Sequence, residues 1–151
     1  MHFKSTLLFW VAVCATNWVF AQGMIKPGAH QTSSFIPLLE GKKIGLVAHK
    51  ASRIETVHLV DSLLALKIDL VRVFAPEHGF RGLADNGEKV ADQIDLQTGI
   101  PIISLYGKNR KPQPEILQDI DLMVFDLQDV GTRFYTYLST LHNVMEACAS
   151  E

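Results

Sequence analysis

The stretch DLVRVFAPEHGFRG, residues 69–82, decides how this chain folds. Leu70 to Ala75 form a short run rich in Val, Leu and Phe, bounded by Asp69 and Pro76, which is the pattern of a strand buried on both faces of a parallel sheet. Pro76 and Gly79 then force a sharp turn that carries Glu77 and His78 at its tip and Arg81 just beyond. An acid, an imidazole and a guanidinium thus stand where an apolar strand leaves its sheet.

Working outward, three more apolar runs share this character: IGLVA at 44–48, PIISLY at 101–106 and LMVFDL at 122–127. A helical pattern, TVHLVDSLLALK at 56–67, lies between the first two strands, and Ser52-Arg53-Ile54-Glu55 ahead of it has the spacing of a capping box. A short helix around PEILQD at 114–119 separates the third and fourth strands. A last helix fits residues 136–150, with Leu138, Leu141, Met145 and Cys148 as its apolar face. The order β-α-β-loop-β-α-β-α predicts an α/β fold, a Rossmann-like open parallel sheet with flanking helices.

The ends of the chain frame this domain. Residues 1–21 read as a signal peptide: Lys4, an apolar stretch from Leu7, and short residues at Val19 and Ala21, where cleavage is expected. Thr16 and Asn17 interrupt that stretch well short of the roughly 20 apolar residues a spanning helix needs, so no membrane association is expected after cleavage. The chain is then secreted, into the periplasm. Residues 22–41 form a lead-in with a helical turn near SFIPLLEG, and residues 42–151 form the domain. Glu151 closes a helix that would lead into another strand, so the domain reads as incomplete.

Composition excludes several functions. With 14 Lys and Arg against 16 Asp and Glu, and no basic cluster beyond KNRK at 108–111, nothing favours nucleic acid. Loss of the leader takes Cys14 and leaves Cys148 without an internal disulfide partner. VAHKASRIE, after the first strand, lacks the glycines that dinucleotide or P-loop phosphate binding requires, and no Gly-x-Ser-x-Gly elbow is present. No cofactor or bound metal is expected, although His78, Asp126 and Asp129 leave a metal-assisted hydrolase open.

Ligands of open α/β sheets bind beyond the carboxyl ends of the strands. That rule selects His49 and Lys50 after the first strand, Glu77 and His78 after the second, Tyr106 and Gly107 after the third, and Gln128 and Asp129 after the fourth. Asp126, an acid within an apolar strand, is either paired with Arg133 or functional. Asp129 is the better candidate for chemistry, Tyr135 and Tyr137 near a helix start are either packing residues or faces on which a sugar ring stacks, and Asp85, Glu88 and Asp92 read as solvated.

The blocks FAPEHGFRG at 74–82, GE at 87–88, TGIPIISLYG at 98–107, KP at 111–112 and DLMVFDLQDVGTRFYTYLSTL at 121–141 resemble a bacterial family long labelled only as a domain of unknown function. Its characterised members are exo-β-N-acetylmuramidases, which remove terminal N-acetylmuramic acid from peptidoglycan fragments. The resemblance implies a Rossmann-like N-terminal domain, a smaller C-terminal domain missing here, and a sugar-binding cleft between them. It implies Glu77 as the principal catalytic carboxylate, with Asp129 as candidate partner, and His49, His78, Arg81, Gln128, Arg133 and Tyr135 as substrate-binding residues. The partners it implies are peptidoglycan-derived muramic acid saccharides. Where the family usually carries ANQTS after the first strand, this chain has AHKAS, with His49 in place of the amide and Ala51 in place of the hydroxyl. The rival reading is a secreted, non-catalytic module that binds a sugar or a partner.

Overall fold

The computed structural model describes residues 25–76, 80–81 and 92–150. The expected leader, Glu77 and His78, and Asp85 and Glu88 of the following loop lie outside the described residues. Strands β1 (Lys43–Ala48), β4 (Asp69–Ala75), β5 (Gln93–Ile94), β6 (Pro101–Ser104) and β7 (Leu122–Asp126) form one sheet in the order β5-β6-β4-β1-β7. β1 pairs in parallel with β4 and β7, and β4 with β6, so four carboxyl ends share one edge of the sheet. This is the α/β architecture expected, with one addition: β5 pairs antiparallel to β6 at the edge, inside the long connection after β4.

β1 sits at the centre because every residue after Lys43 is buried. Its alternation serves two cores: Ile44, Leu46 and Ala48 join one apolar cluster, and Val47 joins the other. The first cluster takes Leu39 of α1 (Thr32–Leu39) and Leu59, Val60 and Leu63 of α2 (Leu59–Ala65). The second takes Leu117 of α3 (Pro114–Leu117) and Val144 and Ala147 of α4 (Tyr137–Cys148). Helices therefore cover both faces, as a parallel sheet requires. Gly45 marks a close approach: a Cβ there would lie 2.8 Å from the Ile120 side chain.

Two local expectations are corrected. Ser52 and Glu55 do not cap the helix; they belong to a small hairpin of β2 (Arg53–Ile54) and β3 (Val57–His58), with Glu55 at φ 54° in its turn. The cap of α2 is His58, whose Nδ1 accepts the Val60 N–H at 3.3 Å. α4 is rotated from the expected face: Tyr137, Thr140, Val144 and Ala147 are buried, while Leu138 and Met145 are exposed. Large apolar side chains signal the wrong stripe because the buried face is carried by Tyr137, Thr140, Val144 and Ala147, two of which are small or polar. Asp92 is exposed, as read from the sequence, and it also accepts the Ser104 N–H at 2.9 Å, which fixes the end of β6.

Candidate functional site

The chain runs from β1 to β4 and β6 on one side, then returns to β7 on the other. Loops after β1 and β7 therefore leave in opposite directions, and the switch point between them is where open α/β sheets bind ligands. A cleft of about 760 Å³ lies there, lined on one wall by Lys50 and Ala51 and on another by Phe125, Asp126, Leu127 and Gln128. Gly28–His30 of the lead-in closes a third side.

Backbone and side-chain bonds lock the β1 exit. The His49 N–H donates to Ser52 Oγ at 3.1 Å, and the Ser52 N–H returns a bond to the His49 carbonyl at 2.9 Å. His49 Nδ1 accepts the Ala51 N–H at 3.1 Å, and its ring tilts against Tyr137 with centroids 5.3 Å apart. The fully buried Ser52 hydroxyl donates to the Asp126 carbonyl at 2.6 Å, tying the β1 exit to the β7 exit. Beneath them, His58 uses Nδ1 as an acceptor, so its Nε2–H donates to the His49 carbonyl at 3.0 Å. Burial lowers the basicity of both imidazoles below the ordinary histidine range; backbone hydrogen bonding at His49 opposes this in each case.

Asp126, paired with Ala48 across the sheet, brings a carboxyl group into this setting. Its Oδ2 is enclosed and has no hydrogen-bond partner among the described residues. Its Oδ1 faces Gln128 Nε2 at 3.5 Å, at the limit of a hydrogen bond. Burial raises the Asp126 carboxyl above the ordinary range, and the Ser52 hydroxyl and the charges of His49 and His58 oppose that only in part. The alternative of an Asp126–Arg133 ion pair is not realised: among the described residues Arg133 is exposed and makes no salt bridge to it.

Of the residues expected from sequence, Gln128 lines this cleft, while His49 is buried at the β1 exit and is not part of the lining. Asp129, Arg133 and Tyr135 follow on the exposed loop after β7 and stand outside the lining of the cleft. Asp129 Oδ1 accepts the Gly131 N–H at 2.7 Å, a local turn that orients its carboxyl, and Tyr135 packs edge-on to Tyr137 at 4.7 Å. Arg81 is elsewhere engaged. It donates to both oxygens of Asp61 at 3.1 and 2.9 Å and to both of Asp95 at 3.0 and 2.8 Å, which leaves its guanidinium little for a ligand. The bonds to Asp61 and then Asp95 push its basicity further up. Burial would raise the Asp95 carboxyl, yet the bonds from Arg81 and Thr98 outweigh it and hold the group below the usual carboxylate range. Sequence reasoning missed Ser52 and His58, whose Ser-x-x-Glu and helical patterns suggested other roles. No group of three or more His, Cys, Asp or Glu side chains converges on a metal position among the described residues.

Residues 44–151 match the family model described as exo-beta-N-acetylmuramidase NamZ, N-terminal. The chain belongs to the NamZ family. The peptidoglycan beta-N-acetylmuramidase NamZ of Bacillus subtilis (strain 168) is 47% identical over 111 residues, 72% of this chain and 27% of the relative. Two crystal structures of DUF1343 family proteins from Bacteroides fragilis NCTC 9343 share the fold. One has a TM-score of 0.70 at 40% identity over 79% of this chain and 30% of its own. The other has a TM-score of 0.69 at 38% identity over 82% of this chain and 31% of its own. The chain thus spans less than a third of the length of the NamZ-family proteins it matches. The family resemblance carried by the APEHGFRG and FDLQDVGTRFYTY blocks holds.

Proposed function

We propose that this chain supplies the substrate-binding N-terminal part of a glycosidase that releases terminal N-acetylmuramic acid from peptidoglycan fragments, acting in the periplasm after removal of residues 1–21. The observation that carries this reading is the match over residues 44–151, which contains every strand-exit residue named above. The switch-point cleft, open and lined by both polar and apolar groups, suits a sugar, which offers hydroxyl edges and an apolar ring face.

In this reading Glu77 is the acid that exchanges a proton with the glycosidic oxygen. Its support is the motif and its flanks: Pro76 and Phe80, on either side of residues 77–79, are both buried, and Phe80 packs edge-on to His58 at 4.7 Å. Asp129 is the candidate second carboxylate, and His78, Gln128, Arg133 and Tyr135 are candidate substrate contacts. The test is release of N-acetylmuramic acid from a chromogenic muramide by the full chain and by the family protein that contains it. Glu77→Gln is expected to lower turnover about a hundredfold or more. Near-normal turnover in that variant ends the assignment, and loss of activity on chelation would favour a metal-assisted hydrolase instead.

A further inference from the structure

The β7 exit holds two acids three residues apart with opposite surroundings. Asp129 is exposed and satisfied by the Gly131 N–H. Asp126 is half-buried, with one oxygen enclosed and without a partner among the described residues and the other beside Gln128 on the wall of the cleft. Its three simplest states differ in what they leave unsatisfied. An ionised carboxylate places charge on an enclosed oxygen that receives no hydrogen bond from the described residues, the most costly arrangement in a low-dielectric site. A proton on Oδ2 buries a donor without an acceptor, which is also unfavourable. A proton on Oδ1 leaves Oδ2 as a neutral carbonyl oxygen, the least costly group to leave without a partner. The O–H then points from Oδ1 toward Gln128, whose amide accepts once turned by half a rotation, an assignment open to either sense.

We propose that Asp126 is a specificity-determining residue of the switch-point cleft, a neutral carboxylic acid whose Oδ1–H donates to an acceptor oxygen, hydroxyl or amide carbonyl, of a bound saccharide, with Gln128 giving way. This rests on the reading of the chain as saccharide-binding. The groups that face Asp126 are consistent with it. His49 at the β1 exit and His58 below it each accept a backbone N–H and are held below the ordinary histidine range by burial, and together with the Ser52 hydroxyl they offset the burial of Asp126 only in part. The other charged or titratable side chains lining the cleft are Lys50, Arg53, Glu55 and His30. Arg53 is spent on the carbonyls of Lys50 and Thr56, and His30 Nε2 accepts the Glu55 N–H.

The test has two arms on the full chain. In the first, the Asp126 carboxyl carbon is followed by NMR without ligand. It is expected to titrate above the ordinary Asp value of about 3.9; titration at or below that value overturns the proposal whatever the chain binds. In the second, binding of free N-acetylmuramic acid is measured from about pH 4 to about pH 8, a range that brackets a raised carboxyl. Wild type is expected to weaken as Asp126 ionises. Asp126→Asn, whose amide keeps a donor beside Gln128, should bind like the acidic wild type and lose that weakening. Asp126→Ala should bind about tenfold less tightly, the loss of one hydrogen bond. If the sugar binds but both variants match wild type at every pH, the role of Asp126 falls and the saccharide reading stands. If Asp126 titrates high yet no protein binds the sugar, the saccharide reading falls and takes the proposed ligand with it.

Discussion

Ser52 illustrates how one hydroxyl sets the geometry of the cleft. Wholly buried, it accepts from the His49 N–H and donates to the Asp126 carbonyl, so it joins the two loops whose divergence creates the switch point. Ser52→Ala leaves a buried N–H and a buried carbonyl without this partner, and a backbone group so stranded costs about 1–3 kcal/mol. Urea unfolding should therefore show a loss of roughly 2 kcal/mol for this single substitution. A change under about 0.5 kcal/mol, the range of an ordinary surface substitution, would mean that the two exits hold together without it. Arg81 makes a second residue-scale case. With its side chain 20% exposed and Asp95's 7% exposed, Arg81→Met removes the shared cation of two carboxylates and strands the more buried one. Loss of about 3 kcal/mol is expected, read as a lowered urea midpoint. The companion variant Asp61→Asn should lose less, since Asp95 still pairs with Arg81.

Among the elements, β1 is the most constrained, and its constraint is visible in one glycine. A methyl at Gly45 would stand 2.8 Å from Ile120 Cδ1 and 3.0 Å from Met123 Cε, the far ends of two packed side chains that must shift to admit it. Gly45→Ala should therefore destabilise by about 1–3 kcal/mol, checked by thermal unfolding, with the sheet itself retained. The four parallel strands are legible in the amino-acid sequence because strands covered on both faces leave continuous apolar runs, and Ile44–Ala48 and Leu70–Ala75 are such runs. β5 is not legible there: both of its residues are exposed, and two residues carry no periodicity. The buried face of α4 is hidden for a related reason, since its buried residues include small or polar Thr140 and Ala147 while the larger apolar Leu138 and Met145 are exposed. In the site, the strand-exit rule finds His49 and Gln128, and an acid in an apolar strand flags Asp126. The pairing of Arg81 with Asp61 and Asp95 spans 14 to 20 residues of sequence, and no local pattern announces it.

At the scale of the whole molecule, these buried titratable groups make stability depend on pH in a definite direction. His49 and His58 have folded-state basicities below the ordinary value of about 6.5, so the unfolded chain takes up protons first as pH falls below that point. Their contribution to stability is complete above about pH 6.5 and erodes as pH falls toward the folded-state values. Asp126 runs the other way. Its raised folded-state value means that its contribution is complete below about pH 3.9 and is lost as pH rises through that raised value. Asp95 and Asp119 are lowered, Asp119 by its bond from Arg72, and lose their contributions only as pH falls below about 3.9. Between about pH 6.5 and about pH 4 the two imidazoles therefore oppose Asp126, and the slope of stability reports their balance. His58→Asn separates the two sides. Asparagine retains a side-chain oxygen suited to capping α2, but it cannot titrate and gives up the Nε2 bond to His49. The variant should be less stable than wild type at neutral pH, and the gap should narrow as the buffer is made acidic, by up to about 1.4 kcal/mol per pH unit for the one proton removed from the balance. A gap that stays constant from neutral to acid would show that His58 is not held neutral in the folded chain.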